Sequence, residues 1–148
     1  MAKDSTISEI APLLMQAARG QLAAMMARLD ARGFEGLTPT FATVIPLLDA
    51  TGMRSAALAQ RAGVSKQAVS QLVKLLKERK YVEQVRDPTD TRAKVVRLTK
   101  RGVALRKACA EVRQELQVKT MDALGEKDFT RLQDDLRKVI AVLAAKPR

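Results

Sequence analysis

Apolar residues in the first part of the chain recur at helical spacing. Ile10, Leu14, Ala18, Leu22, Met25 and Leu29 step by three or four, with Ile7 and Leu13 widening the stripe. This predicts a helix of about six turns from Ser8 to about Ala31. Pro12 falls near its first turn, where a missing N–H is tolerated. Arg32-Gly33-Phe34-Glu35-Gly36 ends it. Thr38 reads as an N-cap and Pro39 as the first residue of a second helix, which buries Phe41, Val44, Ile45 and Leu48 and runs to Asp49. Pro46 lies inside that pattern and should bend or split it. Gly52 closes the connection to a third helical segment.

Between Ser55 and Lys74 the helical period continues, but the polar face changes character. Leu58 and Ala59 give a short helix its apolar face, and Ala59 is small enough for a second helix to cross close by. Gly63 supplies the positive φ a reversal needs, Val64 is expected to turn inward, and Ser65 caps the next helix. Val69, Leu72, Val73 and Leu76 form a buried stripe at i, i+3, i+4 and i+7. The opposite face carries Lys66, Gln67, Ser70, Gln71, Lys74 and Lys77, all hydrogen-bond donors and none acidic. That combination is a helix-turn-helix suited to reading DNA. The alternative is an ordinary helical hairpin with a solvated outer face.

The period then shortens. Tyr81–Arg86 and Lys94–Leu98 are β-rich runs of hairpin length, joined by Asp87-Pro88-Thr89-Asp90-Thr91-Arg92, which is strong turn chemistry with Pro88 at the second position. A hairpin after a helix-turn-helix is a wing. Thr99 reads as the cap of a long helix whose stripe, Leu105, Ala108, Cys109, Val112, Leu116 and Ala123, reaches Leu124 before Gly125 breaks it. In the last helix, from about Glu126 to Ala144, Phe129, Leu132, Leu136, Val139 and Leu143 form a heptad seam with Ile140 beside it. The seam could be internal core. Burial between two chains is preferred, because one chain offers few surfaces for three long apolar stripes. The fold class is mainly α, an α+β winged helix with long N- and C-terminal helices.

Charge sharpens this picture. The chain of 148 residues has a net charge of +11 at pH 7. Residues 51–107 hold fifteen basic and four acidic side chains, whereas 1–50 and 108–148 are each within one unit of neutrality. A localised basic segment points to a polyanion, since Lys and Arg displace counterions condensed on phosphates. Hydrophobic residues make up 47%, excluding a disordered chain. Aromatic residues make up only 3%, which favours helix packing over a β-sandwich. No apolar run is long enough for a membrane span, and the N-terminus lacks the apolar stretch of a secretory signal. With one cysteine, Cys109, no internal disulfide is expected and a reducing cytoplasm is the default, nucleoid-associated if the polyanion is DNA. The absence of His removes the commonest general base and metal ligand, and no glycine-rich phosphate loop is present. No catalytic residue, metal or cofactor is therefore expected.

Leu37-Thr38, Leu58-Ala59, Gly63 to Ser70, Leu72-Val73, Tyr81-Val82-Glu83, Asp87-Pro88-x-Asp90-x-Arg92-Ala93-Lys94 and Leu98-Thr99-x-x-Gly102 resemble, in that order, the MarR family of multiple-antibiotic-resistance-type regulators. The matching residues extend over roughly Leu37 to Gly102; the outer helices match in length and position only. Lys80 departs from the pattern, standing where the family usually has Gly, so a non-Gly residue is forced toward positive φ; Pro46 is also atypical. The resemblance implies one domain, 1–148, with a winged-helix lobe at 37–102 and a helical dimerisation region at 1–36 and 103–148. It implies a homodimeric regulator, usually a repressor, with Ile10, Leu14, Leu132, Leu136, Val139 and Leu143 at the dimer interface. It also implies a small-molecule effector of unknown identity, or release by cysteine oxidation, although Cys109 on an apolar stripe reads as a packing group.

Each polar residue of the lobe has an expected role on DNA. Gln67 and Gln71 suit bidentate pairing with adenine, and Lys66 or Lys74 suits guanine. Ser65 and Ser70 serve as phosphate ligands or caps. Arg92 at the wing tip fits a narrow A·T-rich minor groove. Asp90 either braces Arg92 by an ion pair or is simply a turn residue; bracing is favoured. Arg86, Lys94, Arg97, Lys100 and Arg101 supply backbone contacts. The partner is then a pseudo-palindromic double-stranded operator. The competing readings are a sequence-indifferent architectural DNA binder and a helical module for an acidic protein partner.

Overall fold

The computed structural model describes residues 4–49 and 51–144, with the side chains of 4–9, 42 and 43 outside the description, Ile7 of the first stripe among them. The elements in order are α1 (Asp4–Asp30), α2 (Pro39–Val44), a 3₁₀ turn (Ile45–Leu47), β1 (Met53–Arg54), α3 (Ser55–Ala62), α4 (Lys66–Glu78), β2 (Val82–Asp87), β3 (Asp90–Leu98), α5 (Lys100–Leu124) and α6 (Glu126–Ala144). The chain divides into two compact units, the first ending at Val112 and the second starting at Arg113.

α1 starts four residues earlier than the pattern predicts, so Pro12 lies inside the helix instead of in its first turn. One lost hydrogen bond does not stop a helix of 27 residues. Only its C-terminal end joins the core: Met25 and Leu29 are buried, Leu14 is half-buried, and Ile10, Leu13 and Met15 are exposed. Pro46 splits the second helix as expected, and Phe41, Val44, Ile45 and Leu48 are all buried. Thr38 has the extended backbone of an N-cap, but its hydroxyl makes no cap bond. The Phe41 N–H, which such a cap could serve, bonds to the Thr38 carbonyl at 2.9 Å.

The helix-turn-helix forms as the local chemistry dictates. Gly63 sits at φ 67, ψ 30, and two bonds, Gly63 N–H to Gln60 C=O and Val64 N–H to Ala59 C=O, close α3 in a Schellman motif. Ser65 Oγ accepts the Ala68 N–H at 3.1 Å. Leu58, Ala59, Val69, Leu72, Val73 and Leu76 are buried together in the first unit's core. Val64 does not turn inward; it is 39% exposed, because the motif uses its backbone N–H and leaves its side chain on the outside of the turn.

The sheet has three antiparallel strands in the order β1-β3-β2. β1 is two residues long, pairing Met53 with Val96 and Arg54 with Val95, and too short to show alternation in the sequence. The first wing strand is shifted by one residue from the predicted run, the second starts four residues earlier, at Asp90, and only Pro88-Thr89 remain as the turn. The Asp87 carboxylate makes this possible by accepting both the N–H (2.8 Å) and the hydroxyl (2.7 Å) of Thr89. At the wing's base, Thr99 Oγ accepts the Gly102 N–H, capping α5, and donates to Lys80 C=O. Gly102 lies so close to Tyr81 C=O that a Cβ would collide with it. Leu105, Ala108, Cys109, Val112 and Leu116 are buried, whereas Ala123 is exposed, and Gly125 ends α5 at φ 80. In α6 no residue is buried: Phe129, Leu136 and Val139 are half-covered, and Leu132 and Leu143 are exposed.

Candidate nucleic-acid interface

α4 packs its stripe into the core, so its other face must be outward. Lys66, Gln67, Ser70, Gln71 and Lys74 are all exposed there, with Ser65 at the helix start. Their hydroxyl chemistry differs. Ser65 uses an acceptor lone pair for the cap and keeps its O–H available to a phosphate. Ser70 donates its O–H to Lys66 C=O at 3.0 Å, so it binds a phosphate only by giving up that bond. Lys77 Nζ donates to Gln84 Oε1 at 3.2 Å, tying α4 to β2 beside an open groove of about 380 Å³ lined by Ser70, Lys74, Lys77 and Gln84 among others.

On the wing, Arg86 and Lys94 are cross-strand partners and both exposed. Like charges placed opposite each other repel, and a polyanion relieves that repulsion. Arg92 is exposed at the tip. Asp90 does not brace it by an ion pair. Its Oδ1 accepts the Arg92 backbone N–H at 3.1 Å, and its Oδ2 faces the Arg54 guanidinium at 3.5 Å. Arg54 Nε also donates to Asp87 Oδ2 at 2.7 Å. The Asp87 carboxyl is held down at about 2, first by the Thr89 hydroxyl, then by the Thr89 N–H and Arg54. Because the folded value is depressed, this cluster is intact above the ordinary carboxylate range and is lost only as pH falls toward 2.

Lys100 is exposed, but the other two expected backbone contacts are less available than their sequence suggests. Arg97 Nε is paired with Glu83 at 2.7 Å, and the Arg101 guanidinium lies 4.9 Å over the Tyr81 ring. Nothing in the local sequence assigns Arg54 a role, since its carboxylate partner Asp87 is 33 positions away. The one hint is a basic residue directly before Ser55, where a helix-capping side chain would be expected. Cys109 is fully buried, consistent with packing. Among the described residues no group of three or more His, Cys, Asp or Glu is placed to hold a metal, and no helix is long and apolar enough to cross a membrane.

The geometry is therefore a face of exposed donors on α4 flanked by a cation-tipped hairpin. Residues 35–93, which span both, match the model of the MarR family. The match covers the helix-turn-helix and the wing as far as Ala93. Solved structures share the fold over nearly the whole chain. Streptococcus pneumoniae FabT in complex with DNA has a TM-score of 0.78 at 18% identity, covering 93% of this chain and 96% of FabT. The repressor CouR bound to a 23-mer DNA duplex has a TM-score of 0.74 at 20% identity, covering 98% and 99%. CouR from Rhodococcus jostii RHA1 bound to p-coumaroyl-CoA has a TM-score of 0.71 at 21% identity, covering 99% and 100%. No curated protein matches the chain in sequence. The MarR-family match leaves out α1, α5 and α6, and the likeness to these solved structures is one of fold.

Proposed function

We propose that this chain is a homodimeric, sequence-specific DNA-binding transcription regulator that acts as a repressor. The observation that carries this reading is the outer face of α4, where Lys66, Gln67, Ser70, Gln71 and Lys74 stand exposed with no acidic side chain among them. In this reading Gln67 and Gln71 contact adenines, Lys66 or Lys74 contacts guanine, and Arg92 enters the minor groove while Arg86 and Lys94 hold phosphates. The lobe 37–102 reads DNA, and 1–36 with 103–148 join two chains through Ile10, Leu14, Leu132, Leu136, Val139 and Leu143. Two-fold symmetry then places half-sites about 10 bp apart on a pseudo-palindrome. The DNA-bound state of FabT and CouR supports the first part, and CouR's p-coumaroyl-CoA supports a small-molecule effector, whose identity is left open. A cytoplasmic, nucleoid-associated location belongs to the same reading.

Selection of bound duplexes from a random pool tests it. The regulator reading expects one palindrome preferred over random DNA by about 10³ or more. A sequence-indifferent architectural binder would show the same steep salt dependence with no such preference.

A further inference from the structure

We propose that Arg54 is a positioning residue that sets where the wing-tip Arg92 meets DNA; the inference rests on the DNA-reading function above. Arg54 occupies the N-cap of α3, with φ −67 and ψ 144, yet makes no cap hydrogen bond with its side chain. Ser, Thr, Asn or Asp normally stands at such a position because a short oxygen reaches back to the helix N–H groups. Here the side chain leaves the helix start and reaches the wing.

Its two contacts bracket the wing turn. Nε donates to Asp87 Oδ2 at 2.7 Å and Nη2 faces Asp90 Oδ2 at 3.5 Å, with the Pro88-Thr89 turn between those acids. Each carboxylate uses its other oxygen on the wing backbone: Asp87 Oδ1 on Thr89 N–H, Asp90 Oδ1 on Arg92 N–H. A continuous path of polar contacts therefore runs from the first residue before α3 to the peptide of Arg92. It begins where the sheet narrows. β1 ends at Arg54, paired with Val95, so from Lys94 outward the wing is a two-stranded ribbon. Such a ribbon is marginally ordered by itself and gains a fixed direction only from an outside tie. Arg54 supplies that tie from the element that precedes the recognition helix.

Arg54→Ser tests this cleanly, because it cuts the strap while offering α3 the hydroxyl cap it lacks. In the free protein, the Arg92 amide should exchange with solvent faster in Arg54→Ser than in the wild type. On the duplex enriched from a random pool, Arg54→Ser should weaken binding about fivefold, the scale of an exposed ion pair. Base preference should flatten at the minor-groove positions under the wing and stay intact where α4 reads. In an Arg92→Ala background Arg54→Ser should have no further effect, since coupled residues are not additive. Arg54→Lys, which keeps the charge but loses the planar fork, should fall between. Unchanged Arg92 exchange, unchanged affinity, an equal loss with and without Arg92, or uniform loss of preference across all positions would each overturn the proposal. Should the wild type ignore duplex DNA, the functional reading fails, while the exchange measurement still decides whether the strap exists.

Discussion

α4 and α6 have the same apolar period and opposite fates. In α4, Val69, Leu72, Val73 and Leu76 are all at most 6% exposed, and the face left over is cationic and amide-bearing. In α6, Val142 and Leu143 are more than 70% exposed, and the polar face satisfies itself: Arg137 with Asp134 at 2.7 Å, Lys138 with Asp135 at 2.9 Å, and Arg131 with Asp135 at 3.7 Å. What α4 leaves without a counterpart is charge; what α6 leaves is apolar area. An uncompensated cationic face attracts a polyanion, and an uncovered apolar stripe attracts another apolar surface. Two half-finished surfaces of different chemistry fit the two partners of the proposed function, DNA for one and a second chain for the other.

Core truncation should separate the helices most sharply. Leu76→Ala in α4, at a fully buried position, should cost about 2–5 kcal/mol in urea unfolding. Leu143→Ala in α6, at 76% exposure, should change the stability of an isolated chain by less than about 0.5 kcal/mol. Comparable losses at both sites would mean that α6 already has a partner within its own chain.

The next largest effect should come from charging the α6 seam. Leu136→Asp with Val139→Asp places two carboxylates on half-covered positions of the stripe. Analytical ultracentrifugation should show monomers, and operator affinity should fall by about 100-fold or more as the second half-site contact becomes intermolecular. The circular dichroism of the winged helix should be unchanged. A dimer that survives both substitutions removes this seam from the interface. On α4's side, Gln67→Ala should cost about 1–3 kcal/mol of binding and relax preference at one base pair. Uniform weakening on all sequences would show that Gln67 holds a phosphate.

The parts legible in the sequence are those whose cause is local. Ser65 caps α4, Gly63 reverses the chain and the Val69–Leu76 stripe buries itself, all within a few residues of one another. β1 is not legible, because two residues carry no period and their pairing with Val95 and Val96 is settled about forty positions on. The wing turn reads too long because Asp87 and Asp90 disfavour strand by propensity, whereas their carboxylates hold the turn that lets them pair. Arg54 is hidden for the same reason: its role exists only once the wing folds back to it. Val64 misleads through geometry, the Schellman turn fixing its backbone and not its side chain.

The smallest effect lies at the residues that bound the two helices. α6 is preceded by Gly125 at φ 80, where a left-handed residue costs nothing, whereas α4 is followed by Lys80 at φ 61. Lys80 holds that conformation because its N–H bonds to Lys77 C=O and the Tyr81 N–H to Leu76 C=O, the same closure that ends α3 at Gly63. Leu76 and Tyr81, both fully buried, anchor that closure from either side, so core packing imposes on Lys80 a backbone that its Cβ disfavours by about 1 kcal/mol. Lys80→Gly should therefore raise stability by about 1 kcal/mol, or about 3 °C in thermal unfolding. Operator affinity should fall slightly, with a shallower salt dependence if the Lys80 ammonium neutralises a phosphate. A stabilised variant with an unchanged salt slope would show that Lys80 is a tolerated strain with no part in holding DNA, leaving α4's own face to carry the charge.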